Sequence, residues 1–304
     1  MAVGSLHIRV PASTSNVGTG FDALGLAVNL FLDVRWEAAE VTSVSRLGPM
    51  QESLLSVGQD PIVRGMRRAA MLAGRALPPG KITVASPFPP GRGLGASGAG
   101  LVAGLLLGSR LCGGNLNRDD LLREAIELEG NPENAVAALL GGTHWSLRLA
   151  DGSFAPLPAE LHRELRLIFV LPPYPLDTRR AREALPPAVS FAQAALQAQR
   201  AGALLTALRT LKPDLLRAAV TDALVVEPRL KLLTGVGKMI EFAYEAGALG
   251  ATLSGAGSGV LVLTRRADLE ALETRLKRRV ERLWGESGMV LRAAPQDEGA
   301  KIVR

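Results

Sequence analysis

Residues 86–100, Ser-Pro-Phe-Pro-Pro-Gly-Arg-Gly-Leu-Gly-Ala-Ser-Gly-Ala-Gly, set the glycines Gly91, Gly93, Gly95 and Gly98 just ahead of an apolar run that ends near Leu111. Glycine has no Cβ, so this backbone can take positive φ and bring its N–H groups close to a ligand, at the positive end of the helix that follows. The chemistry that suits is the cradling of a polyphosphate. Ser97 has two readings, a helix cap or a hydroxyl offered to a magnesium ion. Neither standard nucleotide motif is present: no Gly-Lys-Ser/Thr closes the loop, and the Gly91-x-Gly93-x-Gly95 spacing is not that of a dinucleotide fingerprint. A glycine-rich turn into a tightly packed helix would have the same composition.

Three further stretches carry polar chemistry. Residues 11–27, Pro-Ala-Ser-Thr-Ser-Asn-Val-Gly-Thr-Gly-Phe-Asp-Ala-Leu-Gly-Leu-Ala, are small and polar enough to read as a loop presenting hydroxyls, the Asn16 amide and the Asp22 carboxylate to a small polar ligand. A surface turn with local Asn16 and Asp22 backbone bonds is the alternative. Glu124, Glu127 and Glu129 cluster at the end of an expected helix over 117–129, where the dipole disfavours acids, which hints that one answers to a cation. A solvated acidic face explains them as well. Residues 177–186 bring Arg179, Arg180 and Arg182 to a helix start, charges that by type alone are solvated.

These groups need a scaffold. Strands are expected at 6–10, 81–85, 165–171, 260–263 and 288–293, with a strand pair or hairpin over 28–37. Helices are expected at 61–74, 98–111, 117–129, 193–209, 212–223 and 267–282, and a loop at 46–59. Turn-rich sequence near 150–159 suggests two domains, 1–152 and 153–304. With 304 residues, 47% hydrophobic and 21% charged, the chain is globular. No apolar run approaches the roughly 20 residues of a membrane helix, and no leader pattern precedes residue 6, so a cytoplasmic protein without a membrane partner is expected. The net charge of +6 is spread along helices and only 4% of residues are aromatic, which argues for small anions and against a nucleic-acid partner. Cys112 is single and expected buried and inert; His7, His144 and His162 lack metal-ligand spacing.

Residues 90–97 resemble the Pro-x-x-x-Gly-Leu-Gly-Ser-Ser loop of the kinases acting on galactose, homoserine, mevalonate and phosphomevalonate (the GHMP kinases). Ala96 and Gly98 stand where that loop usually has Ser and Ala, which removes one hydroxyl. Residues 11–27 resemble the homoserine kinase signature Pro-Ala-Ser/Thr-Ser-Ala-Asn-x-Gly-x-Gly-Phe-Asp-x-Leu-Gly-x-Ala. Residues 127–134 resemble Glu-x-Glu-Gly-His-Pro-Asp-Asn, with Asn131 for His and Glu133 for Asp. Residues 178–186 resemble Ser/Thr-x-x-Ala-Arg-x-x-Leu-Pro, residues 222–229 the Asp-x-x-x-Glu-Pro-x-Arg stretch, and residues 254–259 a third glycine motif that packs beside the first.

The resemblance implies an α+β fold with an N-terminal domain like that of ribosomal protein S5 and a C-terminal ferredoxin-like α/β sandwich. It implies transfer of the ATP γ-phosphoryl group to L-homoserine, giving O-phospho-L-homoserine for threonine biosynthesis, with Mg2+ as the metal. ATP would lie on Pro90, Gly91, Arg92, Gly93, Leu94, Gly95, Ala96, Ser97, Gly98, Ala99 and Gly100. Ser97 and Glu127 would hold magnesium, and Asn134 would stand beside the transfer centre. Asn16, Asp22, Thr178, Arg182 and Arg229 would hold homoserine, Asp22 its ammonium and the arginines its carboxylate. No strong general base stands out, so proximity and metal would carry most of the rate. A homodimer is a further expectation, dimers being common in the family. A related kinase of another small alcohol, or a nucleotide-binding regulator without catalysis, are the readings left beside it.

Overall fold

The computed structural model describes residues 4–114 and 116–303. Strands β1 (Ser5–Asn16) and β2 (Gly20–Ala38) form a long antiparallel hairpin, flanked by β3 (Ser43–Leu47) and β4 (Gly80–Ala85) on one side. The hairpin β5 (Thr143–Arg148) and β6 (Phe154–Pro158) adds to the start of β2. In the second sheet, β7 (Leu165–Leu171), β8 (Gly250–Leu253), β9 (Val260–Arg265) and β10 (Met289–Ala293) run antiparallel in the order β10-β7-β9-β8. Taken with its intervening helices, this is the fourth-first-third-second order of a ferredoxin-like sandwich. A last strand, β11 (Lys301–Val303), returns to pair with β1 in the first sheet.

Helices α1 (Pro61–Leu72), α2 (Ala96–Leu111), α3 (Arg118–Glu129) and α4 (Pro132–Leu140) cover the first sheet around Ile8, Val34, Ile82, Leu105 and Val136. The second half contributes α5 (Thr178–Glu183), α6 (Phe191–Thr210), α7 (Pro213–Val220), α8 (Val226–Leu230), α9 (Val236–Glu245) and α10 (Leu269–Trp284). A separate core under α9 and α10 holds Ile168, Val262, Met239 and Leu276. A third core belongs to both halves, packing Ala12, Leu24 and Leu26 against Leu167, Phe169, Leu204 and Leu261. That shared core locks the two sheets together, and the glycine loop lies at their junction.

Three expectations of local structure are corrected. Residues 11–27 are not a loop: all but the turn at 17–19 lie in β1 and β2, with bulges between Pro11 and Ala12 and between Ser15 and Asn16. Ser13, Thr14 and Ser15 are fully or almost fully buried, because small residues let layers approach from both faces and their hydroxyls satisfy one another. Residues 28–37 continue β2 instead of making a pair of strands, and the 46–59 loop contains the end of β3 and a short 3-10 turn. A boundary at 152/153 would cut the β5–β6 hairpin, and β11 carries the chain's end back to the first sheet.

Candidate active site

Gly91, Gly93 and Gly95 all have positive φ, at 71°, 80° and 65°. At Gly93 a side chain would also collide with the protein, since its Cβ would lie 1.8 Å from the Ser254 carbonyl oxygen. Ser254 Oγ donates to the Gly93 carbonyl at 2.6 Å and the Gly255 amide to the Ser15 carbonyl at 3.1 Å, so the 254–259 loop braces the first one. Gly95 is the N-cap of α2 and no side chain caps the helix, leaving its first N–H groups free for an anion. Gly98 differs: it is helical, and it admits the Asn134 side chain, whose Cβ would stand 3.2 Å from an added methyl.

Pro90, Gly91, Gly93, Leu94, Gly95, Ala96, Ser97 and Gly100 line a cleft of about 1160 Å³, open mouth included. Arg92, Gly98 and Ala99 stand just behind this lining. The Arg92 guanidinium is buried and turned inward, donating to the carbonyls of Pro172 and Pro90 at 2.9 and 3.1 Å and to Glu52 at 2.7 Å. Burial pulls its pKa down despite Glu52, so Arg92 acts as a staple that holds the loop.

The two residues expected to hold the metal, Ser97 and Glu127, are not brought together. Glu127 is mostly exposed and bridges to Arg68 at 3.0 Å, on the far side of α3 from the loop. Glu129, two residues on, accepts from Ser97 Oγ at 3.0 Å and lines the cleft. Burial raises the Glu129 pKa against the lowering effects of Ser97 and Arg64. A desolvated carboxylate beside a hydroxyl is an all-oxygen pair that fits a hard cation completed by phosphate oxygens. Two positions along a helix are about 200° apart, so the motif's first and second glutamates face opposite ways.

At the other end of the cleft, Arg182 forms a fork on Asp22, with Nη1 and Nη2 at 2.9 and 2.8 Å, and Nη2 also donates to Asn131 Oδ1 at 2.9 Å. The bond to Asp22 raises the Arg182 pKa. Asn131, which departs from the expected His, is therefore a positioning residue that sequence reading left without a role. Arg229 is buried, donating to the carbonyls of Ala181 and Gly255 at 3.1 and 3.4 Å, and desolvation lowers its pKa to about 10, still cationic at neutral pH. Arg182 and Arg229 each lie 5.3 Å from the centre of the Phe21 ring. Asn16 Oδ1 accepts from the Asp22 amide at 3.0 Å, and Thr178 is the first residue of α5; both line the cleft. Asn16, Val17 and Asp22 all take positive φ, of 69°, 45° and 54°. For a β-branched residue such as Val17 this is strained backbone, held by its complete burial.

Between the two ends stands Asn134. Its Oδ1 accepts from Ser13 Oγ at 2.9 Å and its Nδ2 donates to Ser15 Oγ at 3.2 Å, which fixes the amide orientation. Glu133 beside it is 3% exposed and also lines the cleft. Beyond the glycine loop the wall turns apolar, with Leu32, Met50, Leu55, Ile62 and Val84, and this was not legible because those residues come from five separate stretches of chain.

Known proteins resemble this chain over most of its length. The family described as GHMP kinases N terminal domain matches residues 62–142, and that described as GHMP kinases C terminal matches 192–282. A homoserine kinase of Thermus thermophilus is 38% identical over 86% of this chain and 88% of its own length. One from Thermosynechococcus vestitus is 34% identical over 89% of this chain and 90% of its own. Among solved structures, a homoserine kinase from Cytophaga hutchinsonii superposes with a TM-score of 0.83 at 24% identity, covering 100% of this chain and 98% of its own. A mevalonate kinase of L. major reaches 0.70 at 16% identity, over 97% and 96% of the two chains.

Proposed function

The chain belongs to the homoserine kinases of the GHMP kinase family, and from that premise we propose how its residues bring ATP and L-homoserine together. The observation that carries the reading is that one cleft joins an uncapped helix start behind a positive-φ glycine loop to a pair of opposite charges suited to an amino acid. The amides of residues 91–97 hold the triphosphate, and the apolar wall at Met50, Leu55 and Ile62 takes the adenine. Ser97 and Glu129 hold magnesium, which when bound neutralises charge on the phosphates.

Asp22 and Arg182 neutralise each other at the cleft wall. A zwitterionic amino acid offers the same two charges in complementary order, its ammonium to Asp22 and its carboxylate to the Arg182 fork with Arg229 behind it. The pair can thus be exchanged for substrate without stranding a charge. Asn16, Thr178 and Asn131 steady that end. Asn134, held by two serines, lines the space between the ends, where the side-chain hydroxyl would meet the γ-phosphorus in line. The product is O-phospho-L-homoserine, the route to threonine that the family name implies. A homodimer and a cytoplasmic location belong to the same reading; among the described residues no helix is long and apolar enough to cross a membrane.

The test is ADP release coupled to a panel of small alcohols with ATP and magnesium. Homoserine should lead the panel by at least tenfold in kcat/KM. A lead by a sugar or an isoprenoid precursor, or no alcohol-dependent release from folded protein, would overturn the assignment.

A further inference from the structure

We propose that Phe21 is a positioning residue for the amino-acid end of the cleft, its ring holding the Arg182 and Arg229 guanidiniums together so that both can grip one substrate carboxylate; this rests on the reading above. Phe21 is half-buried and lines the cleft. The Cζ atoms of Arg182, on α5, and of Arg229, on α8, each stand over its ring at 5.3 Å from the centre. At that distance the negative face of an aromatic ring attracts a cation. Phe21 belongs to none of the three hydrophobic cores, so packing of the interior does not account for an aromatic side chain here.

The two arginines need such a support. After burial, the nearby charge of Arg182 is the next influence that lowers the Arg229 pKa, so the two cations repel each other where a carboxylate has to find them side by side. Arg229 is 2% exposed, and its hydrogen-bond partners among the described residues are the neutral carbonyls of Ala181 and Gly255. A buried cation ordinarily requires a counter-charge. A protein carboxylate placed against both guanidiniums would supply one, but it would also occupy the donors that the substrate needs. An aromatic face attracts the cations without adding a charge and leaves their N–H groups free for an incoming anion.

An irregularity of β2 puts the ring in reach. The pairing with β1 runs from Asn16–Gly20 directly to Ser15–Gly25, so residues 21–24 have no partner on β1, and Asp22 takes a positive φ of 54°. In a regular strand, neighbouring side chains point to opposite faces. Here Phe21 and Asp22 both meet Arg182, the ring at 5.3 Å and the carboxylate through the fork at 2.9 and 2.8 Å. When the substrate ammonium takes Asp22, Arg182 gives up that fork, and its contact with the ring keeps the guanidinium beside Arg229. The substrate carboxylate then meets two cations already in place.

The experiment measures kcat, both KM values and the melting temperature of the full-length wild type, of Phe21→Leu and Phe21→Tyr, and of protein in which Phe21 is replaced by mono-, di- or trifluorinated phenylalanine. Fluorine withdraws negative charge from the ring face with little change of shape. The homoserine KM should therefore climb stepwise, by about twofold per fluorine, while the ATP KM and the melting temperature stay put. Phe21→Leu should raise the homoserine KM about tenfold with kcat within about threefold of wild type, and Phe21→Tyr, which keeps the ring, should stay within about threefold in both. A homoserine KM flat across the fluorinated series, an equal rise in the ATP KM, or a tyrosine variant as impaired as the leucine one would overturn the proposal. Should Phe21→Leu fail to fold, the near-isosteric fluorinated series decides. Wild-type protein inert toward homoserine would defeat the reading of the cleft itself, whereas an active wild type with a flat series defeats only the role of Phe21.

Discussion

The two ends of the cleft are built from different materials. The phosphate end is backbone, contributed by the continuous run 90–97 and the first turn of α2, and its side chains are small or, like Arg92, turned away. The amino-acid end is side chain, assembled from Asp22, Asn131, Arg182 and Arg229 on four separate elements. Amides hold a ligand whatever residue carries them, so the first end tolerates changes such as Ala96 and Gly98 but not a lost glycine conformation. Charges hold a ligand only by position, so the second end tolerates little change of side chain and depends on distant packing.

The sharpest way to break that contrast is Gly93→Ala. It needs positive φ and drives a methyl into the Ser254 carbonyl, so a loss of about 3 kcal/mol or more of stability is expected by thermal unfolding, with activity falling alongside. A stable, active variant would show the loop to be less demanding than its geometry implies. Next is Glu129→Gln, which should lower kcat by about 100-fold at saturating ATP, as removal of a transition-state electrostatic group does. Equal losses from Glu127→Gln would favour Ser97 and Glu127 as the metal pair; that exposed ion pair should instead contribute no more than about 1 kcal/mol to stability and nothing to rate.

Between the ends, Glu133 is a buried acid whose charge bears on stability. Its folded pKa lies near 7, above the ordinary 4.5, so the folded state holds the proton more tightly, and the contribution of this group to stability is full below pH 4.5 and is lost as pH rises to about 7. Denaturant unfolding of the ligand-free protein should show wild type losing up to about 3 kcal/mol more than Glu133→Gln between pH 4.5 and 8. Parallel curves would mean the carboxyl is not desolvated. A smaller effect than that of Glu129→Gln is expected for Arg182→Lys. It keeps the charge but not the fork, so the homoserine KM should rise about tenfold while the ATP KM stays put, and a matching rise in both would erase the division of the cleft.

Which parts were legible follows from the same division. The strand over 81–85, the glycine loop and the helix after it were readable because proline, glycine and β-branched residues act on their own backbone. Residues 11–27 were misread as a loop because small polar residues are rarely buried, and here the layers of α2, α4 and the second half bury them. Glu127 was preferred to Glu129 on motif order alone, since which face of α3 meets Ser97 depends on how two helices pack. Glu133 was seen as a departure but not as an unpartnered acid, a property that exists only when its neighbours are in place.

By itself, then, the order of residues determined the local backbone: where strands stop, where φ must be positive, and that an uncapped helix start would offer amides to an anion. Tertiary structure decided which carboxylate meets Ser97, which arginine is buried as a staple and which grips Asp22, and which acid is left desolvated beside Asn134. The reason is range, since backbone preference acts over a few neighbouring residues, while desolvation and charge pairing depend on groups brought together from more than a hundred positions away, as Asp22 and Arg182 are, 160 residues apart.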